Sequence, residues 1–353
     1  MAIELKEVTK VVGIDTHIHE TSIKLEEGRF NILLGTTLSG KTTLLRLMAG
    51  LERPTKGEIW FKGANVTGVP VQKRKVAMVY QQFINYPNFT VYDNIASPLK
   101  VIRLPKKEIE ARVHKVAELL KITPMLKRMP SELSGGQQQR TALARALVKE
   151  SDLVLLDEPL ANLDYKLREE LREELPKLFH DSGATVVYAT TEPAEALLLG
   201  GYTATLHEGR VTQYGPTPSV YRIPQDLLSA RVFSDPPINT ASITKRGEKF
   251  HYNETASWNV SERYKALPDG PYTIGFRPHH ITLEPDNDES ISVKGTVVVT
   301  EISGSESVIH MSVGHDTWVS LSHGIHPFKR GDAVELYLQT DHCFYFDANE
   351  RFI

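Results

Sequence analysis

Residues near the start of the chain have the spacing of a phosphate-binding loop. Gly35 is followed, after four residues, by Gly40-Lys41-Thr42, which matches the pattern G-x-x-x-x-G-K-[ST]. An apolar run before the loop predicts a buried strand, and the residues after it predict a helix that ends at Gly50. Backbone N–H groups at such a helix start bind phosphate oxygens, and the helix dipole favours their negative charge.

The loop also supplies two side chains for nucleotide chemistry. Lys41 adds a positive charge towards the β and γ phosphates, and Thr42 offers a hydroxyl to Mg²⁺. An ordinary glycine-rich turn is the alternative, but such a turn does not require a strand before it and a helix after it. We expect nucleotide contacts from Gly35, Thr36, Thr37, Leu38, Ser39, Gly40, Lys41, Thr42 and Thr43.

An acidic pair follows another apolar run further along the chain. Asp157 and Glu158 come directly after Leu153–Leu156, and the carboxyl end of a strand is where an α/β sheet places its ligand. Asp157 is predicted to hold Mg²⁺, directly or through water, and Glu158 to polarise the attacking water as general base. Alone, the pair could be a surface feature of a strand end; together with the loop, it predicts a nucleotide-hydrolysing site.

A second glycine-rich step, Ser134-Gly135-Gly136, precedes the predicted helix from Gln137 to Lys149. It could form another anion-binding helix start or a plain serine N-cap. Here the sequence resembles the ATP-binding subunits of ABC transporters, because residues 133–140 match their LSGGQ signature in full. The resemblance implies ATP contacts from Ser134, Gly135, Gly136 and Gln137.

Further motifs extend the resemblance over the whole chain. Gln81 stands where the family has its Q-loop glutamine, which contacts nucleotide and metal, and residues 161–164 (Ala-Asn-Leu-Asp) match the D-loop, so that Asp164 is expected at the ATP site. Segment 276–281 resembles the regulatory β domain of carbohydrate importers of the maltose type. Segment 69–98 is similar to one of the paired ATPases of a glycerol-3-phosphate importer.

Strands that alternate with helices predict an α/β fold with a parallel sheet. We assign residues 1–234 to a P-loop ATP-binding domain with a helical subdomain at about residues 85–150. Near residue 235 the pattern changes to short β-type runs separated by Gly and Pro. Residues 235–353 are therefore expected to form a small all-β, OB-like regulatory domain of the TOBE type.

Composition limits the classes of function. The 353 residues carry a net charge of −3, so no basic field indicates nucleic acid as a partner, which argues against an ABC ATPase acting on DNA or ribosomes. The one cysteine, Cys343, cannot form an internal disulfide. The N-terminus has no apolar signal segment, and no apolar run approaches the roughly 20 residues of a membrane span.

The resemblance implies a subunit at the cytoplasmic face of the cell membrane that energises import of a sugar, polyol or glycerol phosphate. Such subunits dimerise head to tail around ATP and Mg²⁺, and they act with transmembrane permease subunits and a periplasmic or extracellular binding protein. Gln81 and the helical subdomain would couple closure of the ATPase dimer around ATP to movement of a permease helix. That helix would bind around residues 82–95, where Phe83, Tyr86 and Phe89 either anchor it or pack within the subdomain.

Three positions depart from the family pattern, all in this chain's own ATP half-site. Thr191 replaces the histidine that contacts the γ-phosphate, Val12 replaces the aromatic residue that stacks on adenine, and Leu38 replaces a loop glycine. We therefore hypothesise a pairing with a different, complete ATPase. The alternatives are a homodimer that tolerates Thr191 and a nucleotide-binding regulatory subunit with little hydrolysis of its own.

Overall fold

The structure is a computed structural model that describes residues 3–82, 84–161, 163–252, 256–285 and 290–353. The chain divides into two compact units, one ending at Val220 and the other beginning at Tyr221. This division falls earlier in the chain than the boundary expected at residue 234. Across the described ranges, no helix combines the length and apolar character that a bilayer crossing needs.

The N-terminal unit combines two sheets with six helices in its described residues. Its helices are α1 (Lys41–Ala49), α2 (Val91–Val101), α3 (Lys106–Leu119), α4 (Gly135–Leu147), α5 (Tyr165–Ser182) and α6 (Pro193–Leu199). Its strands are β1 (Ile3–Val12), β2 (Asp15–Lys24), β3 (Phe30–Gly35), β4 (Lys56–Phe61), β5 (Ala64–Asn65), β6 (Val76–Val79), β7 (Leu153–Asp157), β8 (Thr185–Thr190), β9 (Tyr202–His207) and β10 (Arg210–Pro216).

The larger sheet has the strand order β10-β9-β3-β8-β7-β6, and every pairing except β10 with β9 is parallel. Strands β3, β7 and β8 are buried along their whole length, as expected for a parallel sheet covered on both faces. In the register, Leu34 lies opposite Thr190, and Asp157 lies opposite Ala189. The phosphate-binding loop, the acidic pair and the segment after β8 therefore begin at one edge of the sheet.

A four-stranded antiparallel sheet, β2-β1-β4-β5, forms the rest of the N-terminal unit's sheet structure. Helix α1 buries Leu44, Leu45 and Met48 in a core shared with Ile3 and Leu5 of β1. This packing fixes the helix whose first turn completes the phosphate-binding loop.

Three helices, α2 to α4, lie between β6 and β7 in the region expected to be helical. Thr90 caps α2 by accepting a hydrogen bond from the Asp93 amide. Helix α3 buries an apolar face at Ile109, Val113 and Val116.

The C-terminal unit is built mainly from strands. Helix α7 (Thr217–Arg222) leads into it, followed by α8 (Leu227–Val232). Its strands are β11 (Asn239–Arg246), β12 (Lys249–Tyr252), β13 (Ala256–Asn259), β14 (Gly270–Phe276), β15 (Ile281–Thr282), β16 (Ile291–Ile302), β17 (Glu306–Val313), β18 (Asp316–His323), β19 (Ala333–Leu338) and β20 (Phe344–Phe346).

These strands form two antiparallel sheets, β13-β12-β11-β14-β20 and β15-β19-β16-β17-β18. Trp318, Phe250 and Phe276 are almost wholly buried between them. Leu227 of α8 packs against Phe344 and Phe346 of β20. Helix α8 therefore belongs to the C-terminal unit, which explains why the division precedes the expected linker.

Candidate active site

The ammonium of Lys41 lies inside the phosphate-binding loop. Its Nζ donates hydrogen bonds to the carbonyl oxygens of Gly35, at 2.7 Å, and Thr36, at 2.9 Å, and lies 3.8 Å from Oε1 of Glu158. Burial lowers the pKa of Lys41, although the carboxylates of Glu158 and Asp157 oppose that shift. The loop thus holds its cation at the place where a phosphate would be bound.

The loop backbone carries strain at Leu38. Its φ of 66° is left-handed, a region that costs a non-glycine residue about 1–2 kcal/mol. The Leu38 side chain is 95 % exposed, so it does not fill the concave side of the loop. Gly40, with φ 102°, then turns the chain into α1.

A hairpin that is distant in the chain supports the same loop, and no sequence pattern predicts this support. The Gly209 amide, between β9 and β10, donates a 3.0 Å hydrogen bond to the carbonyl of Ser39, and the Gly209 carbonyl accepts from the amide of His19. A Cβ atom at Gly209 would lie 2.4 Å from the carbonyl oxygen of His17, so only glycine fits. No local pattern signals this role, because about 170 residues separate the two segments in the chain.

The Thr42 hydroxyl donates to both carboxylate oxygens of Asp157, at 2.9 and 3.2 Å. Burial raises the pKa of Asp157, whereas the Thr42 hydrogen bond and the charge of Lys41 act in the opposite direction. A hydroxyl and a carboxylate side by side are hard oxygen ligands of the kind that Mg²⁺ prefers. The expected metal ligands Thr42 and Asp157 therefore lie together and suit that ion.

Glu158 follows Asp157 with a left-handed φ of 46°, and its amide donates to the carbonyl of Ala189 in β8. Its Oε2 accepts a 3.0 Å hydrogen bond from Nε2 of Gln81. Burial raises the pKa of Glu158, Lys41 opposes this, and Asp157 adds to it. A strained, partly desolvated carboxylate beside a lysine is suited to act as a general base.

Thr191 lies directly after β8 and is exposed. In the described part of the chain its hydroxyl has no hydrogen-bond partner. The preceding residue, Thr190, donates to Oε2 of buried Glu195 at 2.6 Å, and Glu195 also accepts from Arg172 at 3.0 Å. This ion pair, which no local sequence pattern predicts, anchors the end of β8 beside the position where the family carries its histidine.

The remaining expected residues occupy separate places. Val12 ends β1 and is 47 % exposed. Ser134 caps α4 by accepting from the Gln137 amide, and the Gln137 side chain accepts from the Ser134 amide. Asp164 caps α5 by accepting from the Leu167 amide at 3.0 Å.

The start of α4 keeps free N–H groups at Gly135 and Gly136, because the first turn of a helix has no intrahelical acceptor for them. Asn162, part of the expected D-loop, lies outside the described residues. The structure thus brings together the lysine, the threonine, both carboxylates and Gln81, whereas the signature and Asp164 are engaged in helix caps.

A P-loop after a parallel strand, with an acidic pair at the end of another strand of the same sheet, defines a nucleotide-hydrolysing protein. The model of the ABC transporter family matches residues 18–161, and that of the TOBE domain matches residues 274–346. The trehalose/maltose import ATP-binding protein MalK of Thermococcus litoralis is 36 % identical, over 98 % of this chain and 97 % of its own. The sn-glycerol-3-phosphate import ATP-binding protein UgpC of Yersinia enterocolitica is 34 % identical over the same shares.

A solved structure agrees for the N-terminal part. The dimeric post-hydrolysis state of the ATP-binding cassette MJ0796, bound to ADP and Pi, is 29 % identical with a TM-score of 0.56, and it covers 61 % of this chain and 98 % of its own. The chain belongs to the ATP-binding subunits of the ABC transporter family. The predicted α/β nucleotide-binding fold, the all-β C-terminal domain and the ATP hydrolase class are confirmed.

Proposed function

We propose that this chain hydrolyses ATP at the cytoplasmic face of the cell membrane to energise an importer of a sugar, polyol or glycerol phosphate. The observation that carries the proposal is the cluster in which Lys41, Asp157, Glu158 and Gln81 lie together at one edge of the parallel sheet. The names of the two import relatives support the substrate class. In such an importer, ATP hydrolysis is coupled to movements of separate permease subunits, and a binding protein delivers the substrate.

Each residue of the cluster has a defined task. When ATP enters, phosphate oxygens take the place of the Gly35 and Thr36 carbonyls as acceptors for Lys41, and the free amides of the loop bind the same phosphates. Thr42 and Asp157, with Gln81 nearby, would hold Mg²⁺, which supplies charge neutralisation on the phosphates when it is bound. Glu158 orients the attacking water and accepts its proton.

A groove in the N-terminal unit supports the proposed contact with a permease. It has a volume of about 770 Å³ and is lined by Tyr86, Phe89, Pro98 and Val101. Tyr86 and Phe89 are roughly half exposed, although they contact each other at a centroid distance of 5.3 Å. Phe83, the third expected anchor, lies outside the described residues. We propose that the groove binds an amphipathic cytoplasmic helix of the permease.

The departures from the family pattern support pairing with a second, different ATPase. Thr191 cannot carry charge and is shorter than histidine, Val12 presents no ring to adenine, and Leu38 strains the loop. Loss of one preorganised phosphate contact costs on the order of a hundredfold in rate. A homodimer would carry this loss at both sites, whereas a heterodimer retains one complete site that uses the signature at Ser134.

The decisive experiment measures ATP hydrolysis by the purified chain with three single variants. Glu158→Gln removes the base, Thr191→His restores the family side chain, and Thr191→Asn is the matched control that lengthens the side chain without an imidazole. We expect a rate near the limit of detection for the chain alone and an increase of about tenfold or more for Thr191→His only.

Each contrary result identifies one of the alternatives. Rapid hydrolysis that is abolished by Glu158→Gln means that the departures are tolerated and that the chain works as a homodimer. Hydrolysis that appears only with a partner ATPase, and that neither Glu158→Gln nor Thr191→His in this chain changes, means a regulatory subunit that binds nucleotide without using Glu158.

A further inference from the structure

The C-terminal unit contains a cavity of about 1150 Å³, and the ATPase mechanism does not use it. Residues from β12, β13, β20 and the turns around Arg277 and Asp341 line it. The volume is far larger than an inorganic ion requires, and it slightly exceeds the roughly 300–1,000 Å³ that is usual for small-molecule sites.

A buried positive charge borders this cavity. Arg277 is 4 % exposed, and its guanidinium lies 3.7 Å from the ring centroid of Tyr221 and 4.8 Å from that of Phe344. Its Nη2 donates to the carbonyl of Tyr221 at 2.6 Å. No carboxylate in the described ranges forms an ion pair with Arg277, and its Nε is buried without a hydrogen bond. A buried cation that lacks an anionic partner attracts an anion to the adjacent cavity.

Three histidines line the same cavity. The rings of His279 and His280 are 4.2 Å apart, and those of His280 and His342 are 4.8 Å apart. Burial lowers the pKa of His280 to about 3, with smaller contributions from the other two rings and Arg277. The neutral ring of His280 can donate from one nitrogen, and its Nδ1 is buried without a partner. A metal ion does not account for the cluster, because no His, Cys, Asp or Glu group in the described ranges has a metal-binding arrangement.

The rest of the cavity wall combines polar and aromatic groups. Ser257, Asn259 and Ser261 supply hydroxyl and amide groups, and Trp258 supplies an aromatic ring. Four further cations line the cavity, Arg222, Lys249, Arg263 and Lys265, together with three carboxylates, Glu248, Glu262 and Asp341. Glu262 is paired with Lys265, and cations outnumber carboxylates in the wall as a whole. We propose that this cavity binds a small polyhydroxylated organic anion, a sugar acid or a sugar phosphate, with its charged group beside Arg277 and the histidines.

Binding can be read at Trp258 in the full-length protein. The chain contains three tryptophans, Trp60, Trp258 and Trp318, so 5-fluorotryptophan labelling gives three ¹⁹F resonances that Trp→Phe variants assign. The probes are glucose, glucuronate, glucose 6-phosphate and inorganic phosphate. We expect saturable shifts of the Trp258 resonance with glucuronate or glucose 6-phosphate, and binding at least about tenfold weaker for glucose and for inorganic phosphate.

The two anionic probes distinguish a carboxylate ligand from a phosphate ligand. If glucose binds as tightly as the two sugar anions, the charged group does not contribute to binding. If inorganic phosphate binds as tightly as they do, the hydroxyl groups do not contribute. The absence of any saturable shift at Trp258 would overturn the site itself.

Variants locate the bound anion. Arg277→Met and His280→Leu should weaken binding about tenfold, whereas His315→Leu, which removes an exposed histidine outside the cavity, should leave it unchanged. If Arg277→Met does not fold, His280→Leu and His342→Leu remain decisive, and unchanged affinity in both contradicts the proposal. Lys41→Ala should leave the Trp258 shift intact, which separates this site from the ATP site and from the proposed function.

Discussion

The side-chain amide of Gln81 donates a hydrogen bond to Oε2 of Glu158 across 3.0 Å, which joins the segment after β6 to the end of β7. The residue expected to sense the permease is therefore bound to the proposed general base. This bond stabilises the carboxylate form of Glu158 and partly offsets the effect of burial on its pKa.

Replacing Gln81 by alanine should therefore raise the pKa of Glu158 further. A general base works only when it is deprotonated, so the acid limb of the ATPase pH–rate profile should move to higher pH in Gln81→Ala. The profile is measured on the chain alone with Thr191→His also present, so that the hydrolysis observed depends on this chain's own Glu158. The neighbouring variant Gln82→Ala, which removes an exposed amide, serves as the control and should leave the limb in place. An unchanged or lowered limb in Gln81→Ala would contradict the role assigned to this bond.

Asp157 is predicted to reduce the stability of the nucleotide-free protein. Its pKa is raised by burial, so the folded state binds the proton more tightly than the unfolded state does. Stability is therefore lost as pH rises from the ordinary pKa near 3.8 through the raised value, and it stays lower at neutral pH. Asp157→Asn should raise the melting temperature at pH 7, with a difference that disappears in acid, while Mg²⁺-dependent ATP binding is lost.

The control for that variant is Asp152→Asn, which removes a partly exposed carboxylate paired with Lys62. Such surface pairs are worth about 0–1 kcal/mol, so no gain in melting temperature is expected. A lower melting temperature for Asp157→Asn at neutral pH would show that the hydrogen bond from Thr42 outweighs the desolvation of the carboxylate.

The left-handed backbone at Leu38 makes a prediction about stability. Leu38→Ala keeps the Cβ atom and hence the strain, whereas Leu38→Gly removes it, so the glycine variant should be more stable than the alanine variant by about 1 kcal/mol. Urea unfolding followed at Trp60, in the same unit, measures the difference. At Thr37, which has no positive φ, alanine should be the more stable variant. If the alanine variant is the more stable one at position 38 as well as at position 37, the backbone at Leu38 is not strained.

Sequence patterns predicted those parts of the site whose residues are contiguous in the chain. The loop from Gly35 to Thr42 and the pair Asp157–Glu158 each combine a buried apolar strand with polar residues at its end, so the sheet brings them together. The Gln81–Glu158 bond, the Glu195–Arg172 pair and the support from Gly209 were not predictable in that way. These contacts depend on the side-chain directions and close approaches of distant segments, which have no periodic pattern.

The support from Gly209 gives the last prediction. Gly209→Ala places a methyl group 2.4 Å from the carbonyl of His17, at a residue whose φ is +73°, so the hairpin must shift and its hydrogen bond to Ser39 must weaken. Loss of one such bond is worth about 0.5–1.5 kcal/mol, so ADP affinity should fall by about two- to tenfold. Gly63→Ala is the matched control, because Gly63 has a similar φ of +80° but no atom within 4 Å of the added methyl.

Both variants carry the same backbone cost, and only Gly209→Ala disturbs the loop. Isothermal titration should therefore show weaker ADP binding for Gly209→Ala only. Both variants should lower the unfolding midpoint through the shared backbone cost, and the clash at Gly209 should lower it further in Gly209→Ala. If Gly63→Ala lowers ADP affinity as much as Gly209→Ala does, general destabilisation rather than the hairpin contact explains the loss. If neither variant changes affinity, Ser39 is held in place without the hairpin, by the hydrogen bond from its own amide to the Thr36 carbonyl.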